Sequence, residues 1–387
     1  MGNSHDAPLF QHLSVILRNL LIVQARMKFT EKPVISLVAN RAAHRVVIVD
    51  QTQLPFVVEP RALLSWEDCA EAIRAMRVRG APLIGVTAAY GIALAMQRDA
   101  TDNSLFSASR ALAATRPTAV NLAWALDRME RRLLSTNPAD RSDVAWTEAD
   151  QIAAEDTKNN RMIGEHGLAI IRDILARSGR TVNILTHCNA GRMACTEWGT
   201  ATAPVYLAQK EGLPVHVWVE ETRPRNQGLI TQWELADAGV NHTYIVDNTG
   251  GHLMQHQKVD MVIVGVDRVS RRGDVANKIG TYLKALAARD NGVPFYAAAP
   301  ISSIDMSIED GVPEIQIEER DTSEVCMVRG WDRDGYITDV RLLRPGTAIG
   351  NPGFDVTPSR LVTALITERG IFAPEDLASG LAAETTK

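Results

Sequence analysis

The sequence predicts an α/β protein of two lobes, whose C-terminal part contains a parallel sheet covered by helices on both faces. Three observations favour this fold. From Thr181 onward, short apolar runs rich in β-branched residues alternate with helical segments across short connections. These runs are nearly continuous in apolar residues, as is typical of strands buried on both faces. The length of 387 residues exceeds what one hydrophobic core usually fills, so we expect two lobes.

The N-terminal third begins with strands and continues with helices. Two runs rich in β-branched residues predict strands at 34–38 and 45–50. Ser65 precedes acidic residues, which indicates a helix start because side-chain oxygens and negative charge suit a helix N-terminus. The stretch 83–96 is apolar on almost every side and predicts a buried helix. Two further helices are predicted at 121–134 and 148–178.

The C-terminal part is organised as alternating strands and helices. The predicted strands contain the runs TVNILT, PVHVWVEE, HTYIVDN, VDMVIVGVD and VPFYAAAP; helix follows the first of them to about residue 212, and RVSRRGDVANKIG is predicted as a loop. Open parallel sheets bind ligands beyond the carboxyl ends of their strands. Polar residues collect at these ends, namely 186–189, 220–223, 247–248 and 267–268. We therefore expect a site in this crevice.

The chain divides into three predicted segments. They are an N-terminal extension over 1–27, a mainly helical N-terminal domain with a small β element over 28–155, and the C-terminal domain over 156–387. The apolar stretch 13–23 within the extension is too short to span a bilayer, so no membrane association is expected.

Charge and cysteine content exclude several classes of protein. The chain has 41 basic and 46 acidic residues, a formal charge of −5, which argues against bulk nucleic-acid binding but permits a local pocket for one phosphate. The four cysteines form no CxxC pair, so neither a zinc knuckle nor a disulfide framework is indicated. A reducing cytoplasm fits this pattern best.

Cys188 is the strongest candidate for a nucleophile or base. It follows the apolar run VNIL and precedes Gly191 and a predicted helix start, where the helix dipole would favour the thiolate. A buried structural cysteine is the alternative, since cysteine is among the most buried residue types. The run THCNAG at a strand end favours the functional interpretation.

Asp267 is the second candidate. It ends the run MVIVGVD, and an unpaired charge at the end of an apolar strand is too costly to lie in the core. An apolar crevice would raise its pKa and suit it to general-acid work. The alternative is a structural ion pair with Arg268 or a turn cap.

Three stretches combine a cation with a helix start and are candidates for phosphate binding. Backbone amides of the predicted loop GDVANKIG, together with Lys278, form a natural cradle for an anion. Arg79 lies beside Gly80 and Pro82, which leaves backbone amides near its charge. Arg116 stands before a third helix start. Ordinary N-capped helices remain the alternative.

The sequence gives little support for a metal site or for a nicotinamide-binding site. His252 and His256 have a spacing that could hold a metal, but no Cys, Asp or Glu stands beside them, so a solvated helix face is favoured. His187 is adjacent to Cys188, yet neighbouring strand residues point to opposite faces and cannot easily pair. No GxGxxG follows a strand.

Taken together, these runs resemble one family. In the expected order the chain contains RGAPLIGVTAAYG, RPTAVNLAWAL, THCNAG, ETRPRNQG, VDRVSRRGDVANKIGTY, PFYAAAPISSID, IEERD and NPGFDVTP. Over about residues 45–372, the chain resembles the methylthioribose-1-phosphate isomerases of methionine salvage. Their wider family includes regulatory subunits of the translation initiation exchange factor and two other sugar-phosphate isomerases, for ribose 1,5-bisphosphate and 5-deoxyribose 1-phosphate.

The resemblance implies a Rossmann-like C-terminal domain, a smaller, mainly helical N-terminal domain and a homodimer. It implies an aldose–ketose isomerase of a sugar phosphate that needs no cofactor and no metal. The family's catalytic pair falls on Cys188 and Asp267. Its substrate contacts fall on Arg79, Gly80, Ala81, Arg116, Gln227, Asn277 and Lys278.

The chain departs from the family pattern at several positions. Val266 replaces the usual Ala, and Glu220 replaces the usual Asp. Arg192, Glu197 and Trp198 stand where small residues are usual, and would alter selection of the group at C5 if they line the pocket.

The implied mechanism leaves one choice open. Asp267 would protonate the ring oxygen, and Cys188 would either remove the C2 proton or assist a hydride shift from C2 to C1. Two other functions also remain open. They are 5-deoxyribose-1-phosphate isomerisation and a non-catalytic, sugar-phosphate-sensing regulatory role.

Overall fold

The computed structural model describes residues 34–383 and shows an α/β protein. The predicted extension at 1–27 lies outside the described residues. The described chain begins with a three-stranded antiparallel sheet in the order β1–β2–β3. Its strands are β1 (Leu37–Asn40), β2 (Arg45–Val49) and β3 (Pro60–Leu63). The first strand therefore starts later than the predicted 34–38.

Five helices follow and form the mainly helical lobe. They are α1 (Trp66–Arg74), α2 (Ala81–Arg98), α3 (Asp102–Ala113), α4 (Val120–Leu134) and α5 (Arg141–Ser178). Ser65 caps α1 in a capping box with Asp68, as its acidic first turn predicted. Helix α2 is buried on almost every side and packs in the centre of this lobe against α4 and α5. The all-round apolar run 83–96 thus forms the buried helix that was predicted.

Helix α5 begins at Arg141 rather than at the predicted residue 148. Tertiary contacts extend it, because the buried Arg141 donates to the carbonyls of Leu133 and Ala100, and Trp146 is completely buried. The helix runs without interruption across residues 155–156, where the two main domains were predicted to divide. Its first half packs in the helical core and its second half against the large sheet. The division at 155–156 remains a prediction.

The second lobe is built on a seven-stranded sheet. Its first half contains β4 (Val182–Thr186), α6 (Ala203–Lys210), β5 (Val215–Glu220), α7 (Gly228–Asp237), β6 (His242–Ile245), α8 (Thr249–Gln255) and β7 (Met261–Val264). There follow β8 (Arg268–Ser270), β9 (Val275–Lys278), α9 (Thr281–Asp290), β10 (Phe295–Ala298), β11 (Ile304–Asp305), α10 (Gly311–Glu314), α11 (Ser323–Cys326), β12 (Met327–Trp331) and β13 (Ile337–Arg341). The chain ends with β14 (Phe354–Thr357), β15 (Ala364–Thr367), β16 (Gly370–Phe372) and α12 (Leu377–Ala383).

The strand order of this sheet identifies a topological switch point. The order is β16–β15–β10–β7–β4–β5–β6, and all neighbours are parallel except the antiparallel edge strand β16. The chain proceeds from β4 outward through β5 and β6, then returns to β7 and proceeds the other way. A crevice opens where the order reverses, between β4 and β7. Cys188 follows β4 and Asp267 follows β7, so the topology brings both to this crevice.

The predicted loop RVSRRGDVANKIG is wrong, because this segment forms a β-hairpin. Its strands β8 and β9 belong to a four-stranded sheet in the order β11–β8–β9–β14. Val269 and Val275 pair across the hairpin and are completely buried, and Gly273 turns the chain at φ +83°. The glycines and charges of this segment are typical of a loop, but burial of one valine on each strand, Val269 and Val275, stabilises the hairpin. Asn277 and Lys278 therefore lie on a strand rather than in a loop.

Candidate active site

A cavity of about 60 Å³ lies at the switch point. All of the residues that the sequence proposed for catalysis or substrate binding line it: Cys188, Asp267, Arg79, Gly80, Ala81, Arg116, Gln227, Asn277 and Lys278. The helical lobe contributes the start of α2, and the sheet contributes strand ends. A larger open cleft of about 700 Å³, between α2, α4, α5 and the segment after β10, contains none of these residues.

Cys188 is held in an unusual backbone conformation. Its φ is +70°, a left-handed value uncommon for residues other than glycine and asparagine. Two buried hydroxyls fix the peptide on either side. The Cys188 N–H donates to Thr222 Oγ1 at 2.8 Å, and Thr231 Oγ1 donates to the Cys188 carbonyl at 2.7 Å. The thiol is thereby held at the cavity wall.

The electrostatics of Cys188 differ from the prediction. Burial raises the pKa of the thiol, while the charges of Arg79 and Lys278 act to lower it. The predicted helix start after THCNAG is wrong, because only a short 3₁₀ turn occurs at Arg192–Ala194 and α6 begins at Ala203. Two nearby cations, rather than a helix dipole, therefore oppose the effect of burial.

Asp267 has the environment of a general acid. Burial raises the pKa of its carboxyl, as predicted, although Lys278, Arg116 and Arg79 act to lower it. Its backbone N–H donates to the carbonyl of Ala276 at 2.9 Å, which joins the end of β7 to β9. Arg268 is not its partner, since that guanidinium contacts Asp305 and the Thr118 carbonyl. The alternative of an Asp267–Arg268 ion pair is therefore wrong.

Arg79 and Arg116 share one feature that indicates an anion site. Both are buried, and each is anchored through one nitrogen: Arg79 Nη2 donates to Asn189, and Arg116 Nη2 to Glu318 at 2.9 Å. Each also keeps a second buried nitrogen without a partner among residues 34–383, Nη1 of Arg79 and Nε of Arg116. Buried donors are normally satisfied, so these nitrogens are suited to a bound anion.

Lys278, the last residue of β9, lines the cavity. Its Nζ donates to the Gly353 carbonyl at 2.8 Å and lies 4.7 Å from the centre of the Phe354 ring. Burial lowers the pKa of the ammonium, while the charges of Cys188 and Asp267 act to raise it. Lys278 is therefore electrostatically coupled to both members of the proposed catalytic pair.

The remaining polar residues of the cavity wall differ in whether their side chains already form hydrogen bonds within the described part of the chain. Asn277 Nδ2 donates to Thr281 Oγ1 at 3.0 Å, and Gln227 precedes α7 with its buried Oε1 unpartnered. The predicted amide cradle at the start of α9 is wrong. The Gly280 and Tyr282 N–H groups already donate to the carboxylate of Asp355, at 2.7 and 3.1 Å.

Sequence reasoning missed several residues around the cavity. Glu318, in the run IEERD, accepts a hydrogen bond from Arg116. Met76 and Phe354 complete the apolar wall. Local pattern carries no information on the pairing of Glu318 with Arg116, because the two residues are 202 positions apart along the chain.

Comparison with known proteins identifies the family of the chain. Residues 77–374 match the initiation factor 2 subunit family. The chain belongs to that family. It is 54% identical over 363 residues to the methylthioribose-1-phosphate isomerase of Methylorubrum populi, which covers 93% of this chain and 100% of the relative. The enzyme of the same name from Acidiphilium cryptum is 59% identical over 334 residues, covering 86% and 91%.

Solved structures show the same relationship. The 5-methylthioribose 1-phosphate isomerase of Pyrococcus horikoshii matches with a TM-score of 0.77 and 36% identity, over 93% of this chain and 98% of that one. The translation initiation factor eIF-2B subunit delta of A. fulgidus matches with a TM-score of 0.72, also at 36% identity, over 89% and 97%. The family thus contains proteins named as enzymes and proteins named as initiation factor subunits.

The residues that depart from the family pattern do not all line the same cavity. Val266 lines the cavity. In contrast, Arg192, Glu197 and Trp198 line a separate apolar groove of about 300 Å³, and Arg192 pairs with Asp237 at 2.7 Å. These three bulky residues therefore do not shape the cavity that contains Cys188 and Asp267.

Metal-ligating side chains come together at one place within residues 34–383. His187, Glu220 and Asp247 have ligand atoms within 4.8 Å of one another. The Lys284 ammonium lies 3.3 Å from Glu220 Oε2, where its charge disfavours a cation. His252 and His256 lie on an exposed helix face, with rings 4.2 Å apart.

Within residues 34–383, every helix is either too short or too polar to cross a bilayer.

Proposed function

We propose that the protein is an aldose–ketose isomerase that converts 5-methylthioribose 1-phosphate to 5-methylthioribulose 1-phosphate in methionine salvage. One observation carries this proposal. A thiol and a carboxyl with a raised pKa line one cavity with two buried arginines that retain unpartnered nitrogens. The names of relatives more than 50% identical along most of the chain support the same activity.

The arginines and the start of α2 would hold the phosphate. Nη1 of Arg79 and Nε of Arg116 supply free donors. Gly80 and Ala81 begin α2 without a side-chain cap, which leaves the helix N-terminus suited to an anion. Asn277, Lys278 and Gln227, which also line the cavity, would orient the hydroxyls or the phosphate.

Asp267 would act as the general acid. The anomeric oxygen of the substrate is esterified, so the ring cannot open to a free aldehyde by itself. Asp267 donates a proton to the ring oxygen, which takes the electron pair of its bond to C1. Burial raises the pKa of the carboxyl and so favours the protonated form that a general acid needs.

Hydrogen then moves from C2 to C1 by one of two routes. Cys188, as a thiolate, can take the C2 proton to give an enol phosphate and return the proton to C1. Alternatively, a hydride passes directly from C2 to C1. In both routes Asp267 recovers the proton of the C2 hydroxyl as the ketone forms. The raised pKa of the Cys188 thiol supports the hydride route, in which the thiol stays protonated.

Two measurements test this proposal. The first compares kcat/KM for 5-methylthioribose 1-phosphate and 5-deoxyribose 1-phosphate, because an apolar pocket discriminates one small group by only about 10–200-fold. No ketose product from either sugar would overturn the proposal, and preference for the deoxy sugar would reassign the substrate. The second follows deuterium from solvent: substantial incorporation at C1 excludes the hydride shift.

We further propose a homodimeric, cytoplasmic protein that acts without a metal or other cofactor. The reaction involves no net oxidation, so the chemistry requires no redox cofactor. The four cysteines are all free thiols, as is typical of a reducing compartment. Light scattering of the purified chain tests the dimer, and activity that survives exhaustive treatment with EDTA tests metal independence.

A further inference from the structure

A buried cluster of charged residues adjoins Cys188 through His187 and has no role in the mechanism above. His187, Glu220 and Lys284 are each at most 5% exposed. His187 Nδ1 lies 2.7 Å from Glu220 Oε2, and Asp247 approaches the same nitrogen at 3.8 Å. Burying such groups is costly unless they are paired, so this cluster requires an explanation.

The second nitrogen of the His187 ring makes the informative contact. Nε2 lies 2.9 Å from the backbone carbonyl of Ile279. A carbonyl oxygen only accepts, so Nε2 carries a hydrogen whatever the charge of the ring. The ring therefore donates to Ile279 while Glu220 fixes its orientation from the other side.

This bond joins two segments of the active site. His187 immediately precedes Cys188, and Ile279 immediately follows Lys278. The ring lies close against the backbone of this segment, since a Cβ added at Gly280 would lie 3.2 Å from Nε2. The imidazole thus fixes the distance between the end of β4, which presents the thiol, and the end of β9, which presents the ammonium.

We propose that His187 is a positioning residue that keeps Lys278 beside Cys188 and Asp267 through its bond to the Ile279 carbonyl. A metal at this cluster is the less favoured interpretation, because Lys284 already places a positive charge 3.3 Å from Glu220. The inference rests on the proposed function for its effect on KM, but its effect on the Cys188 thiol is independent of any substrate.

Two substitutions separate the bonds of the ring. His187→Gln places an amide N–H near the position of Nε2 and keeps the donor to Ile279. His187→Asn places an amide N–H near the position of Nδ1 and keeps the donor to Glu220. Both remove the imidazole and any charge on it, so a difference between them reports the Ile279 bond.

We expect His187→Asn to raise the KM for 5-methylthioribose 1-phosphate at least about ten-fold above that of His187→Gln, because a buried carbonyl loses its donor. Alkylation of Cys188 by iodoacetamide, followed by mass spectrometry of its peptide, is expected to be slower in His187→Asn. In that variant we expect the Lys278 ammonium to move away from Cys188, so that its charge no longer stabilises the thiolate. Glu220→Gln, which keeps the ring and its bond to Ile279, is expected to retain the wild-type values of both.

Equal KM values and equal alkylation rates for the two His187 variants would overturn the proposal, as would a ten-fold KM rise in Glu220→Gln. Thermal unfolding of each variant shows whether a loss is merely one of folding, and Glu220→Gln keeps the test decisive if His187→Asn does not fold. Should the sugar phosphate prove not to be the substrate, the alkylation rates still decide the positioning role.

Discussion

The Cys188 N–H donates to the Thr222 hydroxyl at 2.8 Å, and this bond joins the ends of the adjacent parallel strands β4 and β5. Thr222 is completely buried, and its own N–H donates to Asp247 at 2.8 Å. The bond satisfies the Cys188 amide in a left-handed conformation that costs about 1–3 kcal/mol for a non-glycine residue. Thr222 therefore helps to hold the thiol in its strained position.

Replacing this hydroxyl should lower turnover. We expect Thr222→Val to reduce kcat by about ten-fold, since a buried N–H is left unsatisfied and the thiol shifts. Thr222→Ser, which keeps the hydroxyl, should stay near the wild-type rate. Thr87→Val serves as control, because that equally buried hydroxyl only bonds the Leu83 carbonyl within α2. Equal effects of the two valine substitutions would contradict a specific role for Thr222.

The catalytic pair can be tested by removing each functional group. Cys188→Ala and Asp267→Asn should each reduce kcat by about 10²-fold or more while the circular dichroism spectrum is retained. If the two groups act in one concerted process, the double variant should lose little more than either single variant. Near-normal turnover in either single variant would remove that residue from the mechanism.

Asp267→Asn should also make the protein more stable at neutral pH. The folded-state pKa of Asp267 is raised by burial, so the native state binds more protons than the unfolded state, whose carboxyl titrates near about 3.9. Stability contributed by this group therefore falls as pH rises from the unfolded toward the folded pKa. We expect a rise of roughly 2–4 °C in Tm at pH 7 that disappears below about pH 4. A lower Tm for the variant at pH 7 would contradict this electrostatic account.

Sequence reasoning located the site because the site follows topology. Cys188 and Asp267 stand at the ends of apolar strands, and parallel strands place their carboxyl ends at one edge. The sequence did not reveal the hairpin that contains Lys278, because a charged, glycine-containing run with only two valines, Val269 and Val275, is readily interpreted as a loop. It also did not reveal that Glu318 would hold Arg116, because that contact depends on tertiary packing alone.

Arg79 should not tolerate replacement by lysine. Its Nη2 is fixed by Asn189 while Nη1 remains available to an anion, an arrangement that needs a forked guanidinium. Arg79→Lys keeps the charge, but a lysine cannot reproduce the bond to Asn189 and the donor to the anion at the same time. We therefore expect KM to rise about ten-fold or more, with a smaller change in kcat. Arg77→Lys is the matched control, because Arg77 pairs with Asp50 and Glu71 outside the cavity. A comparable KM increase in both variants would argue against a phosphate-binding role for Arg79.

Gly80 should be highly sensitive to substitution. Its φ is +94°, and an added Cβ would lie 2.5 Å from the backbone of Ala194, a contact that side-chain movement cannot relieve. We expect Gly80→Ala to destabilise the protein by about 3 kcal/mol or more, since strain and overlap add. Gly179→Ala shares a positive φ of +64° but meets nothing within 4 Å, so it should cost only about 1 kcal/mol. Denaturant unfolding of both variants measures the difference, and equal losses would show that the close approach of α2 to Ala194 contributes nothing beyond backbone conformation.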